Sequence, residues 1–120
     1  MMNAIMFDNH DQALPILQEL VDNVSFKIVL STIGSAKNVM QIAMENRLPL
    51  SSTYKKIRRL QDMGIISLER IDIDDSGKKI LYYRSKIKSL EFNVTQDRTL
   101  LQFQRNDHSP ATGTEPVVAQ

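Results

Sequence analysis

Apolar residues recur at helical spacing along the first half of the chain and alternate along much of the second. Leu14, Leu17, Leu20, Val21 and Val24 fall at steps of three and four, which predicts a helix over 13–23. Pro15 would sit in its first turn, where a missing N–H costs nothing. Phe26, Val29, Leu30 and Ile33 repeat the pattern as a second helix, with Ser25 placed to cap it and Gly34 to end it. A third helix is expected from a cap at Ser35 to about Asn46, with Val39, Ile42 and Ala43 inward and Met40 and Met44 filling gaps. Pro49 disfavours the α region at Leu48 and breaks the chain there. A fourth helix follows over 51–63, capped by Ser51, with Thr53, Ile57 and Leu60 as its inner stripe and Gly64 as its stop.

Beyond Gly64 the period changes to two. Residues 65–74 are rich in isoleucine and alternate, Asp75-Ser76-Gly77 supplies a turn, and 78–86 returns as a second strand. This hairpin is a β-wing over 65–86. Leu90, Phe92 and Val94 alternate with Glu91, Asn93 and Thr95 as another strand. Gln96-Asp97 can turn it back into 99–103, although Leu100, Leu101 and Gln104 also suit a short helix. Residues 1–12 show no period and are expected to be flexible. The tail 105–120, with Pro110, Gly113 and Pro116 among polar residues, has the composition of a disordered segment. The domain is then 13–104, and no internal repeat is visible.

Three of these helices followed by the hairpin, with the last two helices joined by a tight break, describe a mainly α fold with a β-wing, an α+β winged helix-turn-helix. The fourth helix carries the informative chemistry. With Thr53, Ile57 and Leu60 inward, Lys55, Lys56, Arg58 and Arg59 are left on the opposite arc. Such a helix fits the major groove of B-DNA, and its N-terminal half reaches base edges. That places Ser51, Ser52, Tyr54 and Lys55 near bases or flanking phosphates, with Arg58 and Arg59 able to reach guanine or phosphate. The alternative is an ordinary helix with a solubilising basic face.

The segment SSTYKKIRRLQDMGII resembles the recognition helix of small winged-helix transcription regulators of the ArsR, MarR and PadR type. VMQIAMENRLPL resembles their preceding helix and turn, and KKILYYRSK the return strand of the wing. The extension LEFNVTQDRTLLQF is most like archaeal members. The resemblance covers roughly residues 15–95 and implies sequence-specific binding of double-stranded DNA in transcription regulation. The cysteine pair with which ArsR-type sensors hold thiophilic metals is absent here.

Charge changes the picture more than composition does. The 120 residues carry 42% hydrophobic and 24% charged side chains, ordinary for one soluble domain. Net charge is +1, but 51–88 holds ten Lys and Arg against five Asp and Glu, while both flanks are mildly acidic. A basic middle fits a polyanion. Arg70, Lys78 and Lys79 lie in the wing and are candidate phosphate contacts. Asp72, Asp74 and Asp75 crowd its tip, so the tip itself is expected to point away from DNA. These acids lack the later glutamate of a calcium loop and read as a solvated turn.

Tyr54, Tyr82 and Tyr83 admit either base stacking or half-buried packing with a wet hydroxyl. His10 and His108 lie in the expected loose ends without partners at ligand spacing, so neither metal nor cofactor is expected. No nucleophile–base pair or phosphate loop appears, which argues against an enzyme. No apolar run approaches the ~20 residues of a membrane span, and no signal peptide is read. The lack of cysteine fits the cytoplasm. One short helix buries little surface, so a homodimer on two half-sites is expected, with the first helix and 87–104 as candidate dimer surfaces. The rival reading is a winged-helix module that binds protein within a transcription or other complex, without base reading.

Overall fold

A buried row along each helix sets the architecture, and each row is chosen by packing rather than by the longest apolar run. The structure, a computed structural model, describes residues 4–7 and 10–106. Their order is β1 (Ala4–Phe7), α1 (His10–Leu20), α2 (Asn23–Ser31), β2 (Lys37–Asn38), α3 (Val39–Asn46), α4 (Leu50–Asp62), β3 (Ile66–Ile73), β4 (Lys79–Ser85), β5 (Ile87–Val94) and β6 (Thr99–Arg105). The chain is therefore α+β, with four helices and two three-stranded antiparallel sheets among the described residues, ordered β1-β6-β5 and β2-β4-β3.

The N-terminal segment is not featureless. Ala4–Phe7 pairs with β6, and α1 starts at His10, with Asp11 in the first turn where the helix dipole favours an acid. Pro15 consequently lies in the second turn rather than the first. Four residues carry too short a pattern to register as a strand; only the partner strand, about a hundred residues on, reveals it. The tail expectation is tested only at its start, where Arg105 closes β6; 107–120 lie outside the described residues.

Helix α2 is capped by Asp22, whose side chain accepts from the Ser25 amide, so Ser25 is inside the helix and buried. The helix also stops before Gly34. Thr32 closes it, with Oγ1 donating to the carbonyls of Ile28 (2.8 Å) and Val29 (3.3 Å). The inner row is Ser25, Ile28, Val29 and Thr32, which leaves Phe26 (53% exposed) and Leu30 (58%) facing out. Polar Ser25 and Thr32 displace two larger apolar side chains from the core because each finds a hydrogen-bond acceptor there.

Helix α3 begins at Val39, not after Ser35, because Lys37 and Asn38 pair with Tyr83 and Tyr82 of β4. Asn38 then forms a capping box with Gln41: its Oδ1 accepts from the Gln41 amide (2.8 Å), and its own amide donates to Gln41 Oε1 (2.9 Å). Val39, Ile42 and Ala43 are buried as expected, but Met40 and Met44 are exposed and fill no gap. Arg47 ends α3 in the left-handed region (φ 55°, ψ 47°), and the Leu48 amide donates back to the Ala43 carbonyl (2.9 Å). That residue, with Pro49, turns the chain into α4.

The two hairpins are present. In the first, β3 and β4 pair around a turn in which Gly77 takes a φ of 85°, and a bulge falls between Leu68 and Arg70. In the second, β5 pairs with β6, so 99–105 is strand and not helix. Its Leu90, Leu101 and Phe103 face the body of the molecule and cover α1. The core joins Leu20, Ile28, Val29, Val39, Ile42, Ile57, Leu60, Ile65, Ile66 and Ile87.

Leu60 is wholly buried at the centre of this cluster. Leu60→Ala is expected to cost about 2–5 kcal/mol of unfolding free energy, read from urea denaturation. Phe26→Ala, by contrast, is expected to cost about 0.5 kcal/mol.

Candidate nucleic-acid interface

Helix α4 is amphipathic by necessity: Thr53, Ile57 and Leu60 are buried, and a turn-by-turn count fixes where the rest must point. Ser51, Lys55, Arg58 and Asp62 share the outward row. Ser52, Lys56, Arg59 and Met63 fall on the flank towards α1, and Tyr54 on the flank towards the β3–β4 hairpin. The helix starts one residue earlier than its serines imply. Pro49 is the N-cap and makes no side-chain cap, while Thr53 Oγ1 donates to the Pro49 carbonyl (2.8 Å). Ser51 therefore stands in the first turn instead of capping it. The first-turn amides keep no side-chain acceptor, the condition under which a helix start takes an anion. At the other end Gly64 adopts a φ of 78°, and the Ile65 amide donates to the Leu60 carbonyl (2.9 Å), leading directly into β3.

The four basic residues of α4 are not equivalent. Glu19 of α1 is only 7% exposed, and it faces α4. Its Oε2 accepts from Ser25 Oγ (2.6 Å) and from Lys56 Nζ (3.1 Å), and its Oε1 from Arg59 Nε. Lys56 also lies 3.6 Å from Asp22. Burial alone would raise the Glu19 carboxyl, but the Ser25, Arg59 and Lys56 hydrogen bonds outweigh it and lower it from 4.5 to about 2. Lys56 is thus drawn against the body, 28% exposed, whereas Arg59 stays 64% exposed. Lys55 and Arg58 are exposed and have no carboxylate within ion-pair range among the described residues.

On the hairpin side, Tyr83 is half-buried and lies within electrostatic range of Tyr54 and Arg58. Burial pushes the Tyr83 phenol up, the neighbouring Tyr54 phenol adds to the shift, and the Arg58 guanidinium opposes it. The register puts Leu68, Ile71, Leu81 and Tyr83 on this face of the hairpin and Arg70, Tyr82 and Ile80 on the other. Arg70 therefore turns away from the α4 side. Its guanidinium stacks on the Tyr82 ring at 4.0 Å and its Nε lies 3.4 Å from Asp72. Arg84, on the same far face, pairs with Glu69 (3.6 Å) and donates to the Gly34 carbonyl (3.2 Å), which binds the hairpin to the loop after α2.

Lys78 and Lys79 are exposed at the hairpin tip. The tip acids are partly consumed locally: Asp74 Oδ1 accepts from the Ser76 amide (2.9 Å), Ser76 Oγ (2.7 Å) and the Lys78 amide (2.8 Å). Those bonds, the Ser76 hydroxyl first, lower the Asp74 carboxyl. Asp75 stays exposed. Of the ten residues singled out in the sequence, Ser51, Lys55 and Arg58 share the outward row of α4, with Ser52 and Tyr54 on its two flanks. Lys56 and Arg59 border it through Glu19, Lys78 and Lys79 lie at the far tip, and Arg70 is on the opposite face of the hairpin.

Sequence reasoning missed Glu19 and Tyr83 as organisers of this surface. Glu19 sits in an apolar stretch with no local partner; Lys56 and Arg59 come from 37 and 40 residues away. Among the described residues no cluster of His, Cys, Asp or Glu is arranged to hold a metal ion, and no helix is long and apolar enough to cross a membrane. His108 and the side chain of His10 lie outside the described residues. No protein-family model matches the chain. No curated protein matches it either.

Because the Glu19 carboxyl is lowered on folding, its charge stabilises the fold above about pH 4.5, and that contribution is lost as pH falls through about 2. Glu19→Gln is expected to reduce stability at pH 7 by up to about 3 kcal/mol. The gap from wild type is expected to close on acidification, read by denaturation across pH 7 to 2.

Proposed function

We propose that this chain is a winged helix-turn-helix regulator of transcription, akin to the ArsR, MarR and PadR types, which binds double-stranded DNA as a homodimer in the cytoplasm. In this reading α3 positions, α4 is the recognition helix and β3–β4 is the wing. The observation that carries it is the outward row Ser51, Lys55 and Arg58, exposed because Thr53, Ile57 and Leu60 are buried beneath it. The uncapped first turn of α4 adds amide donors beside Ser51 and Ser52 for a phosphate.

The roles divide by geometry. Arg58, beside Tyr54 and on the hairpin flank, has the planar donor fork that suits guanine O6 and N7. Lys55 is a mobile point charge suited to phosphate. Arg59, half-committed to Glu19 but well exposed, holds a phosphate-range position, while Lys56 acts mainly to set the helix on α1. Asp62 closes the outward row at its C-terminal end and repels phosphate there, so contact is concentrated in the first two turns and at Arg58. Lys78 and Lys79 extend the basic surface at the wing tip, and Arg70 has no part in it.

Selection of bound duplexes from a random pool is expected to return a palindromic motif. On that duplex Arg58→Ala is expected to cost about 1–3 kcal/mol and relax one base position. Lys55→Ala should weaken all sequences alike and lower the salt slope of log affinity by about 1. Lys56→Ala is expected to act chiefly on stability. If affinity is unchanged in both Lys55→Ala and Arg58→Ala, the DNA reading fails. The exposed Ile71 and Ile73 of the hairpin and Met40 and Met44 of α3 then favour the rival, a protein-binding module.

A further inference from the structure

The surfaces that the sequence nominates for dimerisation are partly used inside the chain, although Leu14, Val21, Phe92 and Val94 stay exposed. Ala13 and Leu101 are fully buried where α1 meets β6, and Leu90 and Phe103 pack onto the same core. The β3–β4 hairpin offers an edge whose charge pattern is its own. Strand β3 is the edge of its sheet, and among the described residues no strand pairs with its outer side. Edge strands are normally blunted by proline, charge, a bulge or brevity. Strand β3 has eight residues and no proline, and beyond the bulge before Arg70 its pairing runs regularly to Ile73. One face carries the exposed Leu68, Ile71 and Ile73, the last 62% exposed. The other carries Arg70 and Asp72, held side by side by their ion pair and by the stacking of Arg70 on Tyr82.

The order Arg70-Ile71-Asp72 is self-complementary about its centre. If two copies of β3 run antiparallel with a two-fold axis at Ile71, Ile71 meets the partner's Ile71 on the apolar face. On the polar face Arg70 meets the partner's Asp72, and Asp72 meets the partner's Arg70. Residues directly opposite share a face, so both matches arise from one register. We propose that β3 is the homodimer edge of this protein, joining two copies into a continuous antiparallel ribbon centred on Arg70–Asp72. The two apolar stripes merge across the axis, and water leaves Ile71 and its neighbours.

The test uses the full chain without DNA. Arg70→Asp sets carboxylate against carboxylate across the axis, and Asp72→Arg sets guanidinium against guanidinium. Each variant alone is expected to self-associate at least about tenfold more weakly than wild type in sedimentation equilibrium. An equimolar mixture is expected to recover wild-type affinity as a heterodimer, identified by mass with one chain tagged. Circular dichroism should be unchanged, since both side chains are about half exposed. A monomeric wild type, variants that dimerise like wild type, or a mixture no tighter than either variant would each overturn the proposal. The second of these outcomes moves the interface elsewhere, with the Phe26–Leu30 face of α2 the next surface to test. None of these results bears on whether Lys55 and Arg58 bind DNA. Conversely, insensitivity of DNA affinity to those two residues overturns the α4 reading while leaving the charge-swap result intact.

Discussion

A carboxylate taken out of water must be met by donors, and Glu19 is met by three from two other helices. Ser25 binds it from α2, and Lys56 and Arg59 bind it from α4. The arrangement holds one flank of α4 against α1 at a defined rotation about the helix axis. The hydrophobic row of Thr53, Ile57 and Leu60 makes the helix amphipathic, but an apolar contact is non-directional. The ion pairs add direction. Rotation of α4 by one residue would bury Lys56 or withdraw it from Glu19. The outward presentation of Lys55 and Arg58 is therefore as much a result of the acid on α1 as of the greasy stripe beneath them.

This division explains why a run of four cations in five residues is not a uniform basic patch. Two are tied to the body, one of them tightly, and two are left free. Tyr83 of β4 closes the opposite flank beside Tyr54 and Arg58. The surface between is thus bounded by an ion-pair network on one side and by half-buried Tyr83 on the other.

Much of the fold is legible in the sequence, and the parts that are not share one cause. Helices α3 and α4, the Gly64 stop and both hairpins follow from local period and turn chemistry. The inner faces of α1 and α2 do not. There the sequence offers more apolar side chains than the core has room for, and Phe26, Leu30 and Val21 stay exposed while Ser25, bonded to Glu19 of α1, and Thr32, bonded to carbonyls of its own helix, are buried. Strand β1 and the start of α3 depend in the same way on distant strands, β6 and β4. At the candidate site, the outward placement of Lys55 and Arg58 could be read from periodicity. The commitment of Lys56 and Arg59 to Glu19, and the turning away of Arg70 through the bulge at 68–70, could not.

The junction between α4 and β3 is three residues long, and it has no slack. Gly64 reverses the chain, Ile65 is buried with its amide on Leu60 and its carbonyl accepting from Lys86, and Ile66 is already in the sheet. Helix and hairpin therefore behave as a crank: a force applied at the hairpin tip is delivered to the helix as torque, with little lost in between. Whatever grips the hairpin sets the attitude of the helix.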